Sequence, residues 1–444
     1  MKVLFVVTAF YPEQAIGSIR ISKFAKYMQK MGASISVISL EPPHWAKRDE
    51  SLYFKGLETI RWDVIDQSWI FKKIFQKIRV ATIGTVPANA VVTSSSSGMN
   101  IKMRIRSIAH FTYTLLKAID WLIIVRKHAK KNIINEDYDF IFCSYPSFAS
   151  PLTGIQLKKL GIGKKLITDF RDPILDQRTS SLNPKHWLQK FILRNADMRF
   201  FISEGVKNQV CNDIKSSNNL IVPNGFDLRD IDSLSIKDTI NTSKNKLRFV
   251  YTGAIYGGKR DLKPFFRCIS NIFKNSKHTP NQVRFDYAGK EGDIFISQAA
   301  EYGLQDHVFD HGLVSRSDSL LLQQQSDICL LATWNTKFEQ GCLTGKVFEY
   351  FMFKKPVLAI VAGNLGGSEM FQITEKIGAG HCFESATQNS EKSLEIWLEN
   401  ALDEKKITGT LKNNYNDMVK EFNIEEIVQN VLKRMNKILE HKAS

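Results

Sequence analysis

The sequence predicts an α/β protein of two domains, each a parallel sheet covered by helices. Three observations carry this. Residues 3–7 form a continuous apolar run, the mark of a strand buried on both faces, and a helical stretch and a second strand follow. The same alternation starts afresh at Leu247–Thr252, after a polar stretch poor in large apolar side chains. The chain has 444 residues, too many for one ordinary core.

The elements follow in order. After the first strand, a loop with Pro12, Gly17 and Ser18 leads into a helix whose apolar side is Ile19, Phe24, Ala25 and Met28. Gly32 ends it, and 35–40 is the second strand. Strand, Gly-containing loop, helix and strand make the βαβ unit with which nucleotide-binding domains open. Runs at 140–143, 166–169 and 198–202 read as further buried strands. Pro223-Asn224-Gly225-Phe226-Asp227 is a turn cluster, and the polar residues 233–246 are the expected linker. The second series places strands at 247–252, 283–288, 308–309, 328–331 and 357–360, with helices at 263–274, 294–303, 316–325 and 345–353. A last helix, capped by Asn423, repeats apolar residues at Ile424, Ile427, Val428, Val431, Leu432, Met435 and Ile438. The expected domains are therefore 1–232 and 246–420, with a terminal helix over 423–440.

Composition narrows the class. With 43% hydrophobic and 24% charged residues, the chain reads as a soluble globular protein. Its six cysteines are scattered without a CxxC pair, which fits a reduced cytoplasmic protein better than a disulfide or zinc scaffold. The start reads as a buried strand rather than a signal peptide, and no apolar run is long enough to span a membrane. The net charge of +16 is concentrated. Between residues 71 and 131 stand twelve Lys or Arg against the single acid Asp120. Such a block, in an insertion spanning about 69–131, points to an anionic partner. Residues 69–80 (WIFKKIFQKIRV) put Ile70, Phe71, Ile74, Phe75 and Ile78 on one helical face and most lysines elsewhere. This is the pattern of an interfacial amphipathic helix, so an anionic membrane surface is the expected partner; a surface helix facing a core shares the pattern. No nucleic-acid-binding motif accompanies the charge, and none is expected to bind.

The chemistry gathers in the second half. Gly345-Lys346 opens an apolar helical run, and Glu349 follows three residues later. A helix N-terminus with a lysine suits a diphosphate, and a carboxylate one turn further in suits sugar hydroxyls. Residues 252–260 (TGAIYGGKR) follow the first strand of this half. Gly253 and its neighbours let a ligand approach the backbone, and Lys259 and Arg260 suit a diphosphate, although a solvated basic loop looks the same. Residues 341–347 (GCLTGKV) do not make a triphosphate loop, because the glycine spacing is one short and Val347 replaces the Ser or Thr that binds Mg²⁺. Asp169, Arg171 and Asp172 lie just past a strand end; they orient an acceptor hydroxyl, take its proton, or pair with one another. His307 and His311 flank a strand-like run, and no His, Asp or Glu cluster suggests a metal.

Seven segments together resemble one family. They are VLFVVTAFYPEQAIGSIR, IFCSYPSF, TDFRDP, FFISEGV, VPNGFD, FVYTGAIYGGKRD and TGKVFEYFMFKKPVLAI, spread in order from residue 3 to the strand after Lys355. The chain is similar to the retaining GT-B glycosyltransferases of the family-4 type, in particular bacterial members that build surface polysaccharides. The resemblance implies two Rossmann-like domains facing an interdomain cleft, with the last helix crossing back to the first domain. It implies that Gly17 approaches the donor phosphates, that Lys259, Arg260 and Lys346 bind the diphosphate, and that Glu349 holds the ribose. The family's earlier glutamate, eight positions before Glu349, is here Gly341, and Glu339 stands two residues away.

The implied reaction moves a sugar from a nucleoside diphosphate, UDP by the commonest case, to a hydroxyl of a glycan or lipid-linked acceptor with retention. No cofactor and no metal are expected, since lysine, arginine and a helix end stabilise the departing diphosphate, and Asp172 or Asp169 positions the acceptor. The expected location is cytoplasmic, peripheral on the inner face of the plasma membrane. A nucleotide-sugar epimerase on the same architecture, or a non-catalytic relative that binds donor or membrane, is the alternative.

Overall fold

The computed structural model describes residues 1–13, 16–42, 53–73, 101–173, 184–211, 216–232 and 246–440, together with Arg48, Glu50, Ile214 and Leu234. The linker expected at 233–246 and residues 74–80 of the expected amphipathic helix lie almost wholly outside the described residues. Contacts divide the chain into two compact units. Unit 1 holds Met1–Ile202, Val206–Val222 and the chain from Val428 on; unit 2 holds Ser203–Gly205 and Pro223–Ile427. The main division thus falls at the turn cluster that begins with Pro223.

Unit 1 is built on a sheet of seven strands: β1 (Lys2–Val7), β2 (Ser34–Leu40), β3 (Arg61–Ile65), β4 (Tyr138–Tyr145), β5 (Gly163–Phe170), β6 (Met198–Phe201) and β7 (Asn219–Ile221). They lie in the order β3-β2-β1-β4-β5-β6-β7, every ladder parallel. The apolar run of β1 takes the middle because both its faces are covered: Phe5 pairs with Val37 on one side and Phe142 on the other, and none of the three has exposed surface. The long helix Ile101–Asn132 buries Ala118, Trp121, Val125 and Ala129, a stripe at helical spacing, in the same core. The strand order reverses between β1 and β4.

Unit 2 repeats the plan with β8 (Leu247–Thr252), β9 (Val283–Ala288), β10 (Val308–Asp310), β11 (Ile328–Trp334), β12 (Val357–Ala362) and β13 (Gly380–Glu384). The order is β10-β9-β8-β11-β12-β13, again parallel, and it reverses between β8 and β11. Strand alternation sends Phe249 and Phe285 to a core with Phe265 and Phe295 on one face. Val250 and Leu331 go to a core with Val347, Phe351 and Phe422 on the other. The terminal helix Ile424–Glu440 buries Ile427, Val428, Val431 and Met435, and Asn423 Oδ1 accepts the Glu425 N–H at 3.0 Å. All six cysteines are free thiols. No helix among the described residues is long and apolar enough to cross a membrane.

An ionic knot holds the β8–β10 edge. Asp286 has no exposed surface and accepts hydrogen bonds from Arg248, Arg284 and, at 2.7 Å, His311. His311, half of the histidine pair noted in the sequence, is thus committed to a carboxylate. Burial pushes the Asp286 carboxyl up, but His311, Arg284 and Arg248 outweigh it and hold it far below the usual carboxylate range. A lowered folded pKa contributes stability above the unfolded value, about 3.9, and loses it as pH falls toward the folded one. Asp286→Asn should therefore cost about 3–5 kcal/mol at neutral pH, because the buried Arg248 keeps its charge without a counterion and Arg284 loses its partner. In denaturant titrations the gap to wild type should narrow once pH drops below about 4.

Candidate functional site

In a parallel sheet the loops after the strands all leave on one edge, and a reversal of strand order parts neighbouring loops there. In unit 2 the parted loops are 253–262, after β8, and 335–344, after β11. Gly253, at φ 130°, turns the chain out of β8, and a side chain there would meet nothing within 4 Å. Tyr256, Gly257 and Gly258 follow in left-handed conformations. This winding presents the N–H groups of Ile255, Tyr256 and Gly257 to the Glu291 carboxylate at 2.6, 3.0 and 2.7 Å. Burial raises the Glu291 carboxyl, but these amides and Arg260 hold it below its ordinary value. Three amides of the glycine loop thus serve an internal anion, so this loop offers a ligand its side chains.

The two cations of that loop diverge. Lys259 Nζ donates to both oxygens of Glu339 at 3.1 Å and sits 3.8 Å from the centre of the Trp334 ring. It therefore joins the β8 loop to the β11 loop. Arg260 turns back, donating to the Ala254 carbonyl at 3.0 Å with its guanidinium over the Tyr256 ring.

Past the β11 loop, the helix Gly345–Met352 starts at the N-cap Thr344, whose hydroxyl makes no capping bond. Gly345 faces open space. Lys346 Nζ donates to Glu349 Oε2 at 3.1 Å, and Gln323 Nε2 donates to the same oxygen at 2.9 Å and to Thr252 Oγ1 at 3.1 Å. Glu349 Oε1 takes no hydrogen bond among the described residues. Burial pushes the Glu349 carboxyl up, yet Lys346, Arg316 and Gln323 hold it below its ordinary value, so it stays an anion. Gly341 has φ 66°, a left-handed conformation unfavourable to glutamate. The acid of this loop is Glu339.

Four buried polar atoms without a partner belong to this region: Arg260 Nε, Gln323 Oε1, Trp334 Nε1 and Thr344 Oγ1. Each orphaned group costs about 1–3 kcal/mol unless water or a polar ligand satisfies it. Gln323, Trp334 and Glu291 were not singled out in the sequence. The signal for Trp334 was its place at the carboxyl end of a strand; Gln323 had none beyond its helical spacing from Ser319.

Unit 1 gathers the remaining candidates at its own reversal, past β1, β4 and β5. Asp169 has no exposed surface, and Arg20 grips both its oxygens, Nε to Oδ2 at 3.0 Å and one terminal nitrogen to Oδ1 at 2.8 Å. Ser144 Oγ adds a third bond at 3.2 Å. Asp169 is thereby a fastening between helix and strand. Arg171 Nε donates to Ser144 Oγ and the Tyr145 carbonyl at 3.1 and 3.0 Å. Its terminal nitrogens lie against Gly17, where a Cβ would come within 2.6 Å of one of them. Asp172 is exposed, and desolvation by its surroundings raises its carboxyl despite Arg171. The structure thus brings Lys346 to Glu349 and Lys259 to Glu339 in unit 2, and Gly17 to Arg171 in unit 1.

No protein-family model and no curated protein sequence matches the chain. Solved structures match over its whole length. Sucrose-phosphate synthase from Thermosynechococcus elongatus is 12% identical with TM-score 0.63, covering 100% of both chains. Lipopolysaccharide outer core galactosyltransferase WaaB is 12% identical with TM-score 0.57, covering 98% of this chain and 99% of that one. A putative UDP-N-acetylglucosamine 2-epimerase from Listeria monocytogenes is 12% identical with TM-score 0.53, covering 99% and 97%. The fold is therefore that of the GT-B proteins, two parallel-sheet α/β domains.

Lys346 is the leading charge opposing the burial of Glu349. In Lys346→Met the Glu349 carboxyl should titrate higher than in wild type. Carboxyl-carbon NMR of glutamate-labelled protein measures this, and an unmoved Glu349 would mean that Arg316 and Gln323 alone hold the charge.

Proposed function

We propose that the protein is a glycosyltransferase that moves a sugar from a nucleoside-diphosphate-sugar, UDP being the expected carrier, to a hydroxyl of a glycan or lipid-linked acceptor during cell-surface polysaccharide synthesis. One observation supports this most: the loops after β8 and β11 and the helix that follows carry two Lys–Glu pairs, Lys259–Glu339 and Lys346–Glu349, with Gln323 tying Glu349 to Thr252 at the end of β8. The galactosyltransferase and sucrose-phosphate synthase folds support the same class.

In this reading the bond from the anomeric carbon to the diphosphate breaks as the acceptor oxygen arrives, and negative charge grows on the departing diphosphate. Lys346, at the start of the Gly345–Met352 helix, and Lys259 stabilise that charge; the uncapped helix end adds its dipole. Glu349, kept ionised and with Oε1 open, accepts the ribose hydroxyls. Glu339 holds the transferred sugar, the part that Gly341 cannot play. The sugar keeps its anomeric configuration by front-face attack, with the leaving phosphate taking the acceptor proton, so no protein nucleophile is required. Asp172 orients the acceptor hydroxyl, with Arg171 beside it, whereas Asp169 only braces their strand.

Thermal unfolding with a panel of nucleotide-sugars tests the reading. A true donor at about 100 times its Kd should stabilise the protein by about 2.7 kcal/mol. Lys346→Ala or Glu349→Ala should abolish that shift, and Lys259→Ala should lower kcat by about 10²–10³. A full shift in the Lys346 and Glu349 variants would place the donor elsewhere. Conversion of UDP-N-acetylglucosamine to its 2-epimer without any acceptor would favour an epimerase, the activity named for one structural neighbour.

A further inference from the structure

The helix Ile101–Asn132 buries one side and leaves apolar residues of the other partly open to solvent. On that outer side stand Leu116, Ile119 and Ile123, each more than a third exposed, at i, i+3 and i+7. The stripe continues, at the same spacing, into Arg126 and Lys130, with Lys127 and Lys131 on its flank, all exposed. Its only acid, Asp120, is bonded to the Ser68 backbone N–H and hydroxyl. Through that bond and the Phe71–Tyr113 ring contact, at 5.9 Å, the helical residues 69–73 are held to the flank of the stripe.

That second helix is not presented as the sequence suggests. Phe71, expected on the same face as Ile70, is 5% exposed and turned into unit 1. Trp69 and Ile70 point outward instead, 69% and 62% exposed, with Lys73 Nζ 4.6 Å from the Trp69 ring centre. A tryptophan with an ammonium on its face and aliphatic neighbours is a side-chain set suited to the level of lipid headgroups.

We infer that Trp69, Ile70, Leu116, Ile119 and Ile123, ringed by Lys73, Arg126, Lys127, Lys130 and Lys131, form one docking face for an anionic lipid bilayer. The apolar part is short, about 10 Å from Leu116 to Ile123. It therefore dips into headgroups rather than filling a groove on a folded partner. A second copy of this chain fits poorly, since the seam would bring Arg126 and Lys130 of each copy to a face that carries no free acid. The cations favour anionic lipid, and the apolar stripe makes the contact more than a diffuse attraction. The face belongs to unit 1 alone and needs no donor.

Full-length protein should co-sediment with vesicles containing about a third anionic lipid and at least tenfold less with purely zwitterionic ones, with binding falling as salt rises. The triple variant Leu116→Ser, Ile119→Ser, Ile123→Ser should lower vesicle binding at least tenfold. So should Arg126→Gln, Lys127→Gln, Lys130→Gln; both sets change exposed positions, and circular dichroism melts check that they fold. Tryptophan emission should shift to the blue on vesicles, and less so in Trp69→Phe. The inference is overturned if wild type ignores anionic vesicles, or if both triple variants bind like wild type. It also fails if sedimentation equilibrium shows a dimer that the apolar triple variant abolishes. The nucleotide-sugar thermal shift of the same variants reads the donor site separately, so a failed docking face and a failed donor site give different results.

Discussion

Parallel strands send all their following loops to one edge, and where the strand order reverses, two of those loops must diverge. That constraint parts the loops after β8 and β11, and the Lys–Glu pairs of unit 2 lie on those loops and the helix that follows. Glu349 is the test case. A carboxylate this buried ionises only if neighbouring charge and hydrogen bonds outweigh desolvation, and here Lys346, one helical turn away, with Arg316 and Gln323, does so. Gln323 also grips Thr252 at the end of β8, so the brace on Glu349 ties its helix to that strand.

The fold was legible where one signal dominated. Residues 3–7 are apolar without interruption because both faces of that strand are covered, and they needed no context; 247–252 and 283–288 stay mostly apolar around Arg248, Arg284 and Asp286. The strands that escaped notice are at or near sheet edges. β3 (RWDVI) interleaves Arg61 and Asp63 with its apolar residues, and β13 (GHCFE) is short with polar ends; each is paired along one edge only. The helix Ile101–Asn132 was hidden by charge. Its cations drew attention to an anionic partner, while Ala118, Trp121, Val125 and Ala129 held a regular buried stripe beneath them.

At the candidate site, Lys346 and Glu349 were legible because their spacing of three on a helix fixes their meeting. Lys259 and Arg260 were not separable in sequence. Adjacent residues in a left-handed turn point apart, so one reaches Glu339 and the other folds back on Ala254. Asp169 illustrates the opposite error of reading function into a strand end. Its partner Arg20 is 149 residues away, and no local pattern announces a pair that distant. Glu291 escaped for the same reason, since a carboxylate in a nest of amides is visible only once the loop is wound around it.

The displaced acid has an electrostatic consequence. Lys259 and Lys346 face Glu339 and Glu349, so these four groups are neutral before any ligand arrives. A diphosphate can gain from either lysine only by competing with its carboxylate. The two pairs are about equally open to water, Lys346 and Glu349 at 32% and 19% and Lys259 and Glu339 at 23% and 32%, so exposure sets neither to yield first; Gln323 adds a brace to Glu349.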